Sequence, residues 1–207
     1  MSEIILSILT PAVPSRFKQI QALCSKIAEQ TADGEVPVEH LVLLDNKKRT
    51  VGEKRDALLV AARGKYVTFV DDDDDISDHY TDEILEAALE KPDVITFLQS
   101  ATVNGQLACV EFKLGNPNDA WRGSDLGPGA PIPTIKRNAW HVCAWRRKLA
   151  ILSHFPASNY GEDWAFAAPL CAMPNLREVH INKVLHFYQH SSETTEAPPP
   201  LTPATKL

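Results

Sequence analysis

The sequence has no CxxC pair, no unbroken apolar run long enough to span a bilayer and no basic leader at its start. Its four cysteines, Cys24, Cys109, Cys143 and Cys171, stand apart in apolar contexts. That excludes a zinc ribbon or a disulfide framework and points to reduced core thiols of a cytosolic protein. Neither a signal peptide nor a membrane span is expected. An excess of positive charge is also missing: 21 Lys and Arg against 27 Asp and Glu leave −6, which gives no global attraction to nucleic acid or anionic membrane. No internal repeat is found. What remains is ordinary globular composition, 44% hydrophobic and 23% charged over 207 residues, enough for one sizeable core and one domain.

The most informative stretch is the strand-like 66–70, Tyr-Val-Thr-Phe-Val, running straight into Asp71, Asp72, Asp73, Asp74 and Asp75. Adjacent carboxylates repel one another by roughly 0.5–1 kcal/mol per close pair even at water's dielectric. An isolated acidic run is more often a solvated loop. Here no Gly, Pro or Ser spacer separates it from the strand, and a helical pattern follows from residue 78. The carboxylates therefore sit at the C-terminal edge of a strand, where open α/β sheets bind ligands. Hard cations such as Mg²⁺ or Mn²⁺ take oxygen ligands and share them with phosphates, so a metal–diphosphate site is expected.

Apolar patterning predicts strands over 4–9, closed by Thr10 and Pro11, then 38–44, 66–70 and 94–98. Helices are predicted over 15–30, over 51–62 behind a Thr50–Glu53 capping box and stopped by Gly64, and over 78–90 with Asp78 as cap. This β-α-β-α-β-α-β order predicts an α/β fold, a mostly parallel central sheet with helices on both faces and a smaller antiparallel part. Asn104-Gly105 marks a hairpin, and 113–133 reads as a long loop. Strand character resumes over 138–145. Short helices are expected over 146–152 and 162–171, and a second hairpin turns at Asn182-Lys183. Residues 191–207 should be a disordered tail.

Thr10-Pro11 and Arg16 follow the first strand, Asp45 follows the second, and Gly52-Glu53-Lys54-Arg55-Asp56 stands before Ala62-Arg63-Gly64-Lys65-Tyr66. The acidic run then reads as Asp-x-Asp, and His141-Val142-Cys143-Ala144-Trp145-Arg146-Arg147 and Gly161-Glu162-Asp163-Trp164 come much later. In this order the landmarks resemble the GT-A-fold glycosyltransferases of the family 2 type, and the segment from His141 to Arg147 is similar to one in their compact, phage- and virus-like members. Two departures stand out: Asp56 replaces the family's Asn, and Asn46-Lys47-Lys48 replaces its Asp-Gly-Ser.

This likeness implies one GT-A domain over 1–190, with a nucleotide-sugar half over 1–112 and an acceptor and catalytic half over 113–190. It implies a nucleotide-sugar donor, a UDP-sugar above all, and Mn²⁺ or Mg²⁺ on Asp73 and Asp71 with His186 as a third candidate ligand. Thr10, Pro11, Arg16, Asp45, Lys54, Arg55, Asp71 and Asp72 would hold the donor. Asp163 would be the base and Glu162 its neighbour in orienting the acceptor, giving transfer with inversion. His141, Trp164 and Arg146 would face the acceptor: a hydroxyl on a glycan, a small molecule or a hydroxymethylated base in DNA. The expected location is cytoplasmic, a host's cytoplasm for a phage-encoded chain. Acidic residues in a helix's first turn also suit its dipole alone, and a lone strand histidine is more often packed than ligating. Two other readings compete. A sugar-phosphate nucleotidyltransferase would want glycine between Thr10 and Arg16, where none occurs. A calcium-binding α/β module would leave Glu162-Asp163 unexplained.

Overall fold

A computed structural model describes residues 3–32, 38–125 and 131–190. The chain runs β1 (Leu6–Ala12), a 3-10 turn (Pro14–Arg16), α1 (Phe17–Thr31), β2 (Val38–Leu44), α2 (Val51–Ala61), β3 (Tyr66–Phe69), β4 (Asp75–Ile76) and α3 (Tyr80–Ala88). It continues through β5 (Val94–Val103), β6 (Gln106–Phe112), β7 (Ser124–Asp125), β8 (Thr134–Arg137), β9 (Ala144–Arg146), α4 (Arg147–Ala150), α5 (Glu162–Cys171) and β10 (Glu178–His190). The described strands form a single mixed sheet in the order β2-β1-β3-β9-β5-β10-β4, with β6 beside β5 and both β7 and β8 beside β6. β1 is parallel to β2 and β3, and β5 to β10, while β9 runs against both β3 and β5.

Period-two alternation sorts the side chains onto two faces. Leu6, Ile8, Tyr66, Ile95 and Phe97 meet Leu23 and Ile27 of α1 and Tyr80 and Ile84 of α3. Leu9, Val67, Phe69 and Trp145 meet Leu58 and Leu59 of α2 and Phe166 and Leu170 of α5. Each fully buried large side chain contributes roughly 1.5–3 kcal/mol. The expected α/β sandwich of helices around a sheet is therefore present. All four cysteines are unpaired thiols; Cys143 is buried and the others half-buried. No helix among the described residues is long and apolar enough to cross a membrane.

Several local expectations are corrected. β1 does not close at Thr10-Pro11 but runs to Ala12. The Val70 amide donates to Leu9 O, so odd positions of β1 face β3, and β3 pairs only with Leu6 to Leu9. The N–H that Pro11 lacks would have met no ladder partner. Asn182-Lys183 is not a turn: β10 continues as one strand along β5, with register shifts between Ile181 and Val184 and again between Val184 and His186. Gly64 ends no helix through a left-handed cap. A Cβ there would lie 2.6 Å from the amide nitrogen and hydroxyl of Ser7, so the glycine serves close approach to β1. Asp78 caps nothing and pairs instead with Lys26 at 3.2 Å. Of 138–145 only the end is strand, at β9. The Asn104-Gly105 turn is as expected, both residues having positive φ (50° and 80°). The tail over 191–207 and loop residues 126–130 lie outside the described residues.

Candidate active site

The five carboxylates that leave β3 meet five environments. Asp71 accepts two hydrogen bonds from Arg55 Nη2 at 2.9 and 2.7 Å. Burial works against its charge, but Arg55 outweighs it and holds the carboxyl below the usual range. Asp72 is buried, with Oδ2 accepting from the Val13 amide at 2.8 Å and Oδ1 from Arg16 Nη1 at 2.7 Å. Asp73 meets Arg16 Nη2 at 2.9 Å, yet burial, Asp71 and Asp72 push it up to about 6. Asp74 is buried, its Oδ1 has no partner, and burial raises it well above the ordinary carboxylate range. Asp75 points outward to Lys26.

Opposite this turn stands α2. Its capping box forms as the sequence predicts, with Glu53 N donating to Thr50 Oγ1 at 3.2 Å and Thr50 N to Glu53 Oε2 at 2.8 Å. The first turn seats tightly: Gly52 N donates to Ser158 O at 2.9 Å, and a Cβ at Gly52 would fall 1.8 Å from Pro156 O. That seat drives Lys54 and Arg55 inward, both 3% exposed. Lys54 Nζ donates to Ala12 O at 3.1 Å and stands 3.5 Å from Asp45 Oδ1. Besides holding Asp71, Arg55 donates through Nη1 to Glu162 Oε1 at 2.6 Å. It therefore ties the acidic turn to the first turn of α5.

α5 starts after Gly161, which takes the left-handed conformation (φ 72°). Glu162 is buried and its carboxyl is raised by burial, with Arg55 pulling the other way. Asp163 is half-buried and accepts from the Trp164 amide at 2.7 Å. It lies close enough to act electrostatically on Arg55, Tyr188 and Arg137.

These elements enclose a cleft of about 330 Å³ lined by Pro11, Arg16, Lys54, Arg55, Asp71, Asp72, Asp73 and Glu162 among others. Both halves of the chain build it, since Asn159, Tyr160, Tyr188 and Gln189 also line it. The remaining sequence candidates, Asp163 among them, fall outside that lining. Asp45 stands behind Lys54, accepting from the Arg49 amide at 3.1 Å. Thr10 is buried within β1, its hydroxyl 2.9 Å from His40 Nε2. His186 lies fully buried behind the acidic turn, Nδ1 2.9 Å from Gln99 and Nε2 3.4 Å from Asp74, and burial lowers it to about 4, which keeps it neutral. His141 packs against Phe69, and burial holds it well below its ordinary value. Trp164 is 59% exposed on the outside of α5. Arg146 is not near the cleft: β9 pairs it with Tyr66, at the opposite end of β3 from the aspartates. There it donates to the carbonyls of Lys91 and Pro92.

Sequence reasoning did not select Lys47, Arg49, Tyr160, Tyr188 or Gln189 as donor-site residues, although all line the cleft. Burial, then Asp74, Asp71 and Asp73, push the Tyr188 hydroxyl up to about 12, so it stays a hydrogen-bond donor. The Lys47-Lys48-Arg49 cluster was the available signal. It stands directly before the α2 cap, but charge runs are ordinarily solvated surface.

Among the described residues no three His, Cys, Asp or Glu side chains gather as a ready metal site. A small hard cation needs only one or two carboxylates when phosphates complete its shell. Asp71 and Asp73 both line the cleft two residues apart, and the Asp73 side chain is 24% exposed, so two carboxylates are placed to share such an ion. The donor set fits a divalent cation that arrives with a diphosphate.

No protein-family model and no curated protein sequence matches the chain. Solved structures do. A fragment of S. aureus TarS, residues 1–349, superposes with a TM-score of 0.59 at 18% identity, covering 90% of this chain and 60% of that one. Its complex with UDP gives 0.58 at 17% identity, over 92% and 62%. Its complex with UDP-GlcNAc gives 0.58 at 15%, over 94% and 62%. The fold is a GT-A fold. The chain spans about 60% of the length of the TarS fragment it matches.

Proposed function

We propose that this protein is an inverting glycosyltransferase that moves a sugar from a nucleotide-sugar donor, a UDP-sugar, to a hydroxyl acceptor. One observation carries the reading. The acidic turn after β3, the buried pair Lys54 and Arg55, and the first turn of α5 converge on one cleft of a GT-A fold. The TarS fragment of like fold binds UDP and UDP-GlcNAc.

Asp71 and Asp73 would hold Mn²⁺ or Mg²⁺, which supplies Lewis-acid neutralisation of the departing diphosphate. Arg16 and Lys54 add charge-assisted donors along the same wall. Arg55 favours the charged form of both Asp71 and Glu162 and holds them at fixed separation. With Glu162 so engaged, Asp163 is the carboxylate left to take the acceptor's proton as its oxygen attacks the anomeric carbon. Attack from the face opposite the leaving diphosphate inverts that carbon.

The acceptor approaches from the side of Asp163 and Arg137. A hydroxyl on a glycan, a small molecule or a hydroxymethylated DNA base meets this chemistry equally, and the basic run from Arg146 to Lys148 takes no part in it. Residues 1–112 supply most of the donor wall and 113–190 the base.

Thermal unfolding with Mn²⁺, with UDP and with both tests the reading. The largest stabilisation is expected with both. Stabilisation by metal to which UDP adds nothing would favour a calcium-type binding module, and stabilisation chiefly by a nucleoside triphosphate a nucleotidyltransferase. Release of diphosphate from a panel of nucleotide sugars, with and without hydroxymethylated DNA, then identifies donor and acceptor.

A further inference from the structure

Two arginines meet the carboxylates of the cleft, and they do so differently. Arg55 is walled in, its side chain 4% exposed, and bound to two carboxylates from below. Arg16 ends the 3-10 turn after β1, and its side chain is 25% exposed at the mouth of the cleft. Its two terminal nitrogens go to different carboxylates: Nη1 lies 2.7 Å from Asp72 Oδ1 and Nη2 2.9 Å from Asp73 Oδ2.

Those carboxylates are unequal. Asp72 is 3% exposed and has a second donor, the Val13 amide at 2.8 Å, so it is anchored whatever Arg16 does. The Asp73 side chain is 24% exposed and meets Arg16 Nη2 at 2.9 Å. Asp71, Asp72 and Asp73 all line this cleft, and Arg16 is one monovalent cation shared between two of them. A divalent ion brings twice the charge on a smaller radius, and Coulomb energy grows with both.

Resting on the glycosyltransferase reading above, we propose that Arg16 is a resident counter-ion. It occupies Asp73 while the cleft is without donor, yields that carboxylate to the divalent cation, and turns its fork onto the donor's diphosphate. Asp72 is the pivot, since it keeps Nη1 while Nη2 changes partner. A guanidinium suits the exchange because its planar fork meets a carboxylate or a phosphate in the same geometry. Arg16 consequently opposes the metal when it binds alone and favours it when it arrives with a diphosphate. That difference couples the two ligands positively.

Two affinities measured on the full chain test this. Free Mn²⁺ is read by its electron paramagnetic resonance signal, and UDP binding in saturating Mn²⁺ by calorimetry. Arg16→Gln is expected to bind Mn²⁺ alone about tenfold more tightly and UDP about tenfold more weakly, each roughly 1.4 kcal/mol. Arg16→Lys keeps the charge without the fork, so it should shift both values the same way by less. Should Arg16→Gln not fold, Arg16→Lys carries both measurements. Unchanged or weakened Mn²⁺ binding in the variant, with the wild type binding Mn²⁺ and UDP, overturns the counter-ion role and leaves the functional reading intact. A wild type that binds neither overturns the functional reading itself.

Discussion

Two clefts open at opposite ends of the sheet, and the larger is the less instructive. It measures about 590 Å³, is floored by Ile5, Tyr66, Leu85, Leu89 and Ile151, and is rimmed by Lys65, Lys91, Arg146, Arg147 and Lys148. Its cations end on ordinary partners: Arg146 on backbone carbonyls and Asp93 at 3.3 Å, Lys65 on the exposed Glu3 at 2.7 Å. The smaller, about 330 Å³, lies beyond the C-terminal end of β3. There Lys54, Arg55, Asp72 and Glu162 are buried together, and several carboxyls are pushed away from their ordinary values in opposite directions. Volume marks a hole in the packing. Convergence of desolvated opposite charges is what singles out a candidate functional site.

Four experiments can break or sharpen that contrast. Asp163→Asn should keep UDP binding and lose transfer by roughly 10²–10⁴-fold, the usual worth of a positioned base; full transfer by the variant would remove Asp163 from that role. Arg55→Met leaves Asp71 and Glu162 buried without their cation, so equilibrium denaturation should show a loss of about 3–5 kcal/mol. Asp73→Asn tests the cleft's electrostatics by pH. The Asp73 carboxyl is raised in the folded protein to about 6. Its contribution to stability is therefore intact below the unfolded carboxyl's range and is lost as pH rises toward the folded value. The metal-free variant should be more stable than the wild type by roughly 1–3 kcal/mol at neutral pH, with the gap closing below about pH 4. Smallest of all, Leu89→Ser in the larger cleft should change stability by no more than about 0.5 kcal/mol and leave UDP affinity unaltered. A loss of UDP affinity there would mean the larger cleft takes part after all.

Legibility followed the range of the signal. The Thr50–Glu53 capping box, β2, α5 and the Asn104-Gly105 turn appear where local sequence predicts them, because each is fixed by neighbours within four residues. Asn182-Lys183 misled because a polar pair between apolar runs also suits a bulge, and only the ten-residue length of β5 beside it selects one continuous strand. Pro11 misled because its cost depends on whether β3 reaches that far. At the site, the acidic turn, Lys54-Arg55 and Glu162 were each visible along the chain. Arg146 was misplaced, since nothing in its own sequence says which end of β3 it will pair with.

The chain's residue pattern alone determined the kind of fold, the strand that delivers the carboxylates and the helix turns that carry Lys54, Arg55, Glu162 and Asp163. These depend on periodicity and capping, which act over one or two turns. Only the tertiary structure decided that Arg55 should bridge Asp71 to Glu162, which lies 107 positions from Arg55 along the chain. It also decided that Arg16 should divide itself between Asp72 and Asp73, and that His186 should lie sealed behind them. The reason is physical: charge preference depends on burial and on neighbours within a few ångströms, and the chain acquires both only when its distant segments pack.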